Sequence, residues 1–236
     1  MEKTKIYLLP FSGASKYSYA QYAKIAPPTF EMIPVEIPGR GMRASEESLT
    51  DIHKIVDDIF LQIKDGLQTP YVIYGHSLGG LLGYLLVHKI VEAGLSIPLH
   101  LFFTGCVAPS VRYRGLVDHL LPKEQFIQKI KELGGSPDAI LNDKALMEFF
   151  IPILRADFQA VAEFQYKERP RFDVNMTILI GSEEEASFEE AQAWQKETTG
   201  EIDVKMLQGN HFFIFDHPKI IMKILTEKVN SKIPTL

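Results

Sequence analysis

A single cysteine, Cys106, leaves no partner for an internal disulfide and suits a reducing compartment. No apolar run approaches the roughly 20 residues that a membrane-spanning helix needs. Basic residues are in the minority, 25 Lys and Arg against 30 Asp and Glu, and the net charge of −5 argues against nucleic acid as a partner. Internal repeats, low-complexity tracts, metal-ligand spacings and phosphate-binding loops are missing too, as is any linker long enough to split the chain. The opening residues Met1 to Lys5 run straight into a short apolar strand, without the apolar core and small-residue cleavage site of a signal peptide. The expectation is one domain over residues 1–236, cytoplasmic and monomeric, with no membrane or nucleic-acid contact.

What is present is a 46% apolar composition, enough for a sizeable core, organised around one stretch. Val72-Ile73-Tyr74-Gly75-His76-Ser77-Leu78-Gly79-Gly80 begins as a buried strand and runs into a Leu-rich helix. Between them lies G-x-S-x-G, the nucleophile-elbow pattern of the α/β-hydrolases. So tight a turn forces Ser77 into a strained backbone and lifts its hydroxyl clear of the sheet. Gly75 and Gly79 are small because a side chain there would strike the neighbouring strand or helix. The N–H of Leu78 opens the helix and points at whatever Ser77 attacks.

Elsewhere, strands and helices alternate. Strands are expected at 6–9, 30–37, 72–76 and 99–104, and helices from Ser15 to about Ala26, after Thr50-Asp51, and after the elbow. This rhythm implies parallel strands joined by right-handed crossovers. It breaks from about 108 to 168, where helices are expected around 123–133 and 144–167 and no strand is. Strands resume at 174–180 and 202–207, with a helix at 188–199 between them and another after Pro218. The fold class is α/β: a mostly parallel central sheet with flanking helices and a helical lid insertion.

A serine hydroxyl needs a base to take its proton and a third group to orient that base. On an elbow fold these follow in the order Ser, acid, His. His211, in Gly209-Asn210-His211-Phe212-Phe213 beyond a strand, is the best base. His217 sits beside Pro218, where a helix N-cap is the simpler role, and His76 faces the wrong way to serve Ser77. The acid falls after the strand ending at Gly181, in Ser182-Glu183-Glu184-Glu185: Glu184 is the first choice, Glu183 the second, and Asp157 a third if it lies under the lid. A second oxyanion donor is expected from the loop after the first strand, through the N–H of Phe11 or Ser12.

These motifs together resemble the type II thioesterases, stand-alone α/β-hydrolases that accompany non-ribosomal peptide and polyketide synthases. Leu9-Pro10-Phe11-Ser12-Gly13-Ala14 is similar to the family's Phe-Pro-x-Ala-Gly-Gly opening, and Pro38-Gly39-Arg40-Gly41-Met42-Arg43 to its Pro-Gly-Arg-x-x-Arg segment. Gly75 to Gly79 matches Gly-His-Ser-Met-Gly with Leu78 for Met. Leu133-Gly134-Gly135, Pro152-x-x-Arg155-x-Asp157-Phe158, Trp194-x-x-x-Thr198-x-Gly200 and Gly209 to Phe213 follow in order. The departures are Asn210 in place of Gly and Glu184 where the family has Asp. The resemblance implies Ser77 as nucleophile, His211 as base, a helical lid, and acyl groups carried as phosphopantetheine thioesters on acyl or peptidyl carrier proteins, with no cofactor of the enzyme's own. A chain-terminating fatty acyl thioesterase, a carboxylesterase, an acyltransferase and a non-catalytic carrier-binding protein are the alternatives. Lid residues such as Leu120, Leu121, Phe126, Ile130, Phe149 and Leu154 are expected either to wall an acyl channel or to form the lid's own core. Arg40, Arg43, Arg112, Arg114 and Lys123 are expected to face an acidic carrier.

Overall fold

The computed structural model describes residues 3–111, 116–134 and 143–231. Six strands, β1 (Thr4–Leu9), β2 (Phe30–Pro34), β3 (Tyr71–His76), β4 (His100–Thr104), β5 (Met176–Gly181) and β6 (Ile202–Leu207), form one sheet in the order β2-β1-β3-β4-β5-β6. Every pairing is parallel. Strands buried on both faces read as continuous apolar runs, and β3 and β5 are buried at every position. The strand order reverses between β1 and β3, and the carboxyl edge at such a reversal is where open α/β sheets bind ligands.

Helices cover both faces. On one, α2 (Ile52–Ile63) presents Ile52, Ile55, Val56, Ile59 and Ile63, and α3 (Leu78–Glu92) is buried along nearly its whole length. Each such side chain contributes roughly 1.5–3 kcal/mol of burial. Asp51 caps α2 by accepting from the His53 and Lys54 N–H groups. The other face carries α1 (Ala20–Ile25) and the last helix (Pro218–Asn230), packed through Tyr19, Tyr22, Ile221 and Leu225.

Between β4 and β5 the lid supplies α4 (Lys123–Leu133) and α5 (Lys144–Ala162), whose apolar faces meet in a cluster of their own around Phe126, Ile130, Met147, Ile151, Leu154 and Phe158. Two short helices then follow, α6 (Phe188–Gln192) before β6 and α7 (Phe213–Asp216) before the terminal helix, α8 (Pro218–Asn230).

Several boundaries differ from the sequence expectation. The second strand stops at Pro34, although Val35 and Ile37 are buried; the apolar pattern there reports packing against α2 and the sheet rather than ladder pairing. Val174 precedes β5, its backbone held by the Thr198 hydroxyl, which donates to the Val174 carbonyl at 2.7 Å. The helix expected at 144–167 ends at Ala162, and the one at 188–199 gives way after Gln192 to a 3₁₀ turn over Ala193–Lys196. Among the described residues no helix is long and apolar enough to cross a membrane.

Candidate active site

β3 and α3 are joined through Ser77 alone. Its φ of 54° and ψ of −118° make it the one non-glycine residue with positive φ among the described residues. Glycines on either side let the turn close: a Cβ on Gly75 would lie 2.1 Å from the Gly79 carbonyl oxygen, and one on Gly79 2.7 Å from the Leu9 carbonyl oxygen. The Ser77 N–H is tied to the Thr104 carbonyl at 2.8 Å, which docks the elbow on β4. Leu78 starts α3, so its N–H is one of the helix's unpaired donors at the positive end of the dipole.

The loops after β5 and β6 are stitched together beside this elbow. Ser182 N–H donates to the Leu207 carbonyl, and Glu183 N–H to the Gly209 carbonyl. Gly181 permits the approach, since a Cβ there would stand 2.6 Å from the Gly209 and Asn210 carbonyl oxygens. This brings Glu184 Oε1 to 2.5 Å from His211 Nδ1, with the two side chains 2% and 6% exposed. The other carboxylate oxygen accepts the Gly181 N–H at 2.6 Å. Glu184 thus folds back on its own strand end with one oxygen while the other holds the imidazole. Glu183 points into solvent, and Asp157 is bonded elsewhere, to Arg40 and Gly13.

His76 packs against His211, with ring centroids 4.8 Å apart. Its Nδ1 lies 3.0 Å from Thr104 Oγ1. Burial, reinforced by the neighbouring His211, pushes the His76 imidazole well below its ordinary range, so it is neutral at pH 7. Phe11 packs edge-on against His76, and Phe212 edge-on against His211. The other histidine near the site, His217, occupies the N-cap position of the terminal helix, yet its Nε2 lies 2.7 Å from the Gln208 carbonyl oxygen instead of capping.

Ser77 and His211 line one cavity of about 960 Å³, together with Ser12 and Leu78. Its apolar wall comes from Leu116, Leu133, Phe158, Val161 and Phe164, with Cys106 near the elbow. Leu120, Leu121, Phe126, Ile130, Phe149 and Leu154 do not line it: Phe126, Ile130 and Leu154 fill the lid's own core, and Leu120 and Phe149 face solvent. Burial raises the Cys106 thiol far above its usual range, consistent with a small apolar wall residue.

The basic residues expected on a docking face divide. Arg40 is 2% exposed and cannot face a partner; its charge is consumed by buried Asp157. Arg43 is engaged by Glu46 and Asp58, and Lys123 by Glu148. Arg112 and Arg114 lie outside the described residues. Among the described residues no group of three or more His, Cys, Asp or Glu side chains could hold a metal ion.

The family model described as "Thioesterase domain" matches residues 4–229. The gramicidin S biosynthesis protein GrsT of Aneurinibacillus migulanus is 31% identical over 215 residues, covering 91% of this chain and 84% of that one. Of solved structures, ClbQ from the colibactin NRPS/PKS pathway superposes with a TM-score of 0.92 at 28% identity, covering 98% of both chains. The type II thioesterase BorB from the borrelidin biosynthetic cluster superposes with a TM-score of 0.88 at 27% identity, covering 96% of this chain and 93% of that one.

Proposed function

The chain belongs to the thioesterase family, among the type II thioesterases of non-ribosomal peptide and polyketide pathways, and we propose that it hydrolyses acyl groups from the phosphopantetheine arm of carrier proteins through an acyl-enzyme on Ser77. The observation that carries this reading is the buried 2.5 Å contact between Glu184 and His211 on the wall of the cavity that also holds the elbow serine.

In this scheme His211 Nε2 accepts the Ser77 proton as Oγ attacks the thioester carbonyl carbon. Glu184 holds the Nδ1–H tautomer and stabilises the imidazolium that forms. The negative charge that develops on the carbonyl oxygen is met by the N–H of Leu78 and by that of Phe11 or Ser12. Collapse of the tetrahedral species breaks the C–S bond, and the imidazolium protonates the departing thiolate. A water deprotonated by His211 then attacks the acyl-serine, releasing the carboxylic acid and restoring the hydroxyl. His76, neutral and packed on His211, keeps a second positive charge away from the imidazolium. The acyl chain lies along Phe158 and Val161, and the protein needs no cofactor of its own because the substrate brings its phosphopantetheine arm. The whole of residues 1–236 acts as one domain, with about 108–168 as its lid, as a cytoplasmic monomer working beside the synthase.

Intact-mass analysis of acylated carrier proteins tests this. The proposal expects loss of the acyl mass with wild type and not with Ser77→Ala. Rapid cleavage of p-nitrophenyl esters with untouched acyl carriers would point to a carboxylesterase, and acyl transfer to an added alcohol or amine in preference to water would point to an acyltransferase.

A further inference from the structure

Arg40 and Asp157 are separated by 117 residues, yet they meet in a two-pronged ion pair that is almost completely buried, with Nη2 to Oδ1 at 2.6 Å and Nη1 to Oδ2 at 2.7 Å. Oδ2 of Asp157 also accepts the Gly13 N–H at 2.7 Å, and Arg40 Nη1 donates to the Ala14 carbonyl at 3.4 Å. Three segments converge here: the loop after β1, the turn after β2, and the lid helix α5. A second carboxylate, Glu36, binds two of them again by accepting from Lys16 N–H at 2.9 Å and Met42 N–H at 2.8 Å.

Stability alone is a poor account of such a pair. The desolvation of two charges offsets most of their attraction, and apolar replacements of similar size are often neutral or stabilising. Position is a better account. In the loop after β1, the Gly13 N–H is taken by Asp157 and the Ala14 N–H by the Phe11 carbonyl at 2.9 Å. The loop's remaining donors are the N–H groups of Phe11 and Ser12, and Ser12 lines the cavity beside Ser77. Leu154, one turn before Asp157 on α5, rests on the same loop: a Cβ on Gly13 would lie 2.7 Å from its Cδ2. Phe158, the next residue after Asp157, and Val161, one turn further on, wall the cavity.

We infer that the Arg40–Asp157 pair is a positioning device: it locks the loop after β1 so that its free amides face the oxyanion, and it makes that alignment depend on the seating of the lid helix. The inference rests on the thioesterase reading of the site. Neither residue lines the cavity or touches His211, so the pair acts through the loop. Oxyanion donors work only within a narrow distance from the developing charge, and misplacement by about 1 Å costs on the order of 100-fold. The pair therefore governs the transition state rather than ground-state binding. Because α5 carries both the cavity wall and Asp157, an acyl chain that seats the helix also sets the amides.

The test uses the double variant Arg40→Met/Asp157→Leu, which removes both charges together, and Asp157→Asn, which keeps the side-chain shape. Active sites are counted by end-point labelling with a fluorophosphonate. Per labelled site, we expect kcat for an acyl-phosphopantetheine thioester to fall by about 10- to 100-fold with KM within about 2-fold, since removal of a whole oxyanion donor costs on the order of 10²–10³. The inhibition constant of an alkyl trifluoromethyl ketone, whose serine adduct places an oxyanion in the same site, should weaken by the same factor. Arg40→Lys, which keeps the charge but not the two-pronged geometry, should recover part of both. Per-site kcat and ketone affinity within 2-fold of wild type, in whichever variant folds, would overturn the inference. The ketone arm does not depend on the natural substrate: if wild type cleaves no acyl thioester, the functional reading fails while the loss of ketone affinity still reports the brace.

Discussion

Glu184 holds His211 with one carboxylate oxygen and its own strand end with the other, at 2.5 Å to Nδ1 and 2.6 Å from the Gly181 N. The second bond fixes the rotamer of a side chain that has one torsion more than aspartate. Glu184→Ala should therefore lower kcat/KM by about 10³- to 10⁴-fold, the scale seen when a triad acid is lost. Glu183→Ala should stay within about 2-fold, because that side chain faces solvent. Steady-state rates of the two variants on one acyl thioester decide it, and a large loss in Glu183→Ala with little in Glu184→Ala would reverse the assignment.

The elbow stores strain that the fold does not need. At φ 54° and ψ −118°, Ser77 occupies backbone space that suits glycine, and such residues cost about 1–3 kcal/mol. Part of that is returned by the greater freedom glycine has when unfolded. Ser77→Gly should be inactive yet more stable than wild type by about 1 kcal/mol, whereas Ser77→Ala should be inactive without the gain. Urea midpoints check this; equal midpoints for the two variants would mean the turn is unstrained.

Under the proposed function, the shape of this cavity sets the acyl chain length that is accepted. Val161 lies on the wall formed by α5, and filling space there removes contacts worth about 1–3 kcal/mol to a long acyl group. Val161→Phe should lower kcat/KM for a decanoyl thioester relative to an acetyl one by about 10-fold or more. A ratio unchanged from wild type would place the acyl chain elsewhere.

How far the sequence already disclosed this arrangement depends on the range of the interaction. The elbow, the strand carrying it and the loop of His211 are local patterns, each written in fewer than ten consecutive residues, and they stand where the motifs put them. Glu184 was accessible because β5 ends at Gly181 and an acid must follow a strand end. The partnership of Arg40 with Asp157 was not. Arg40 sits in a glycine-rich turn that looks solvent-facing, and nothing within 100 residues of it discloses the carboxylate that neutralises it. The lid misled for a related reason. Helical periodicity marks Phe126, Ile130 and Leu154 as apolar, but it does not say whether an apolar face meets another helix or a cavity. Of the residues that wall the cavity, Phe158 and Val161 lie on α5, but Leu116, Leu133 and Phe164 lie at a helix end or in loops where there is no period to read.

Acid should weaken the fold through its buried histidines. His88, packed on Tyr84 and Phe172, has its imidazole pushed down to about 4, chiefly by burial and then by Arg169, with Glu92 opposing. Its folded value lies below the unfolded one near 6.5, so the unfolded chain binds the proton first. That contribution to stability is intact above about pH 6.5 and is lost progressively down to about pH 4. His76 adds in the same direction. Melting temperatures between pH 7.5 and 4.5 should fall less steeply in His88→Leu than in wild type. Parallel curves would show that His88 titrates alike in both states.

The central claim is a covalent acyl-serine at the elbow, and rapid-quench mass spectrometry of the digested enzyme tests it most directly. During turnover of an acyl-carrier thioester, the account predicts the acyl mass on the peptide containing Ser77, absent from Ser77→Ala, which also fails to turn over. Acyl mass on a different residue, or undiminished turnover by Ser77→Ala, would contradict it.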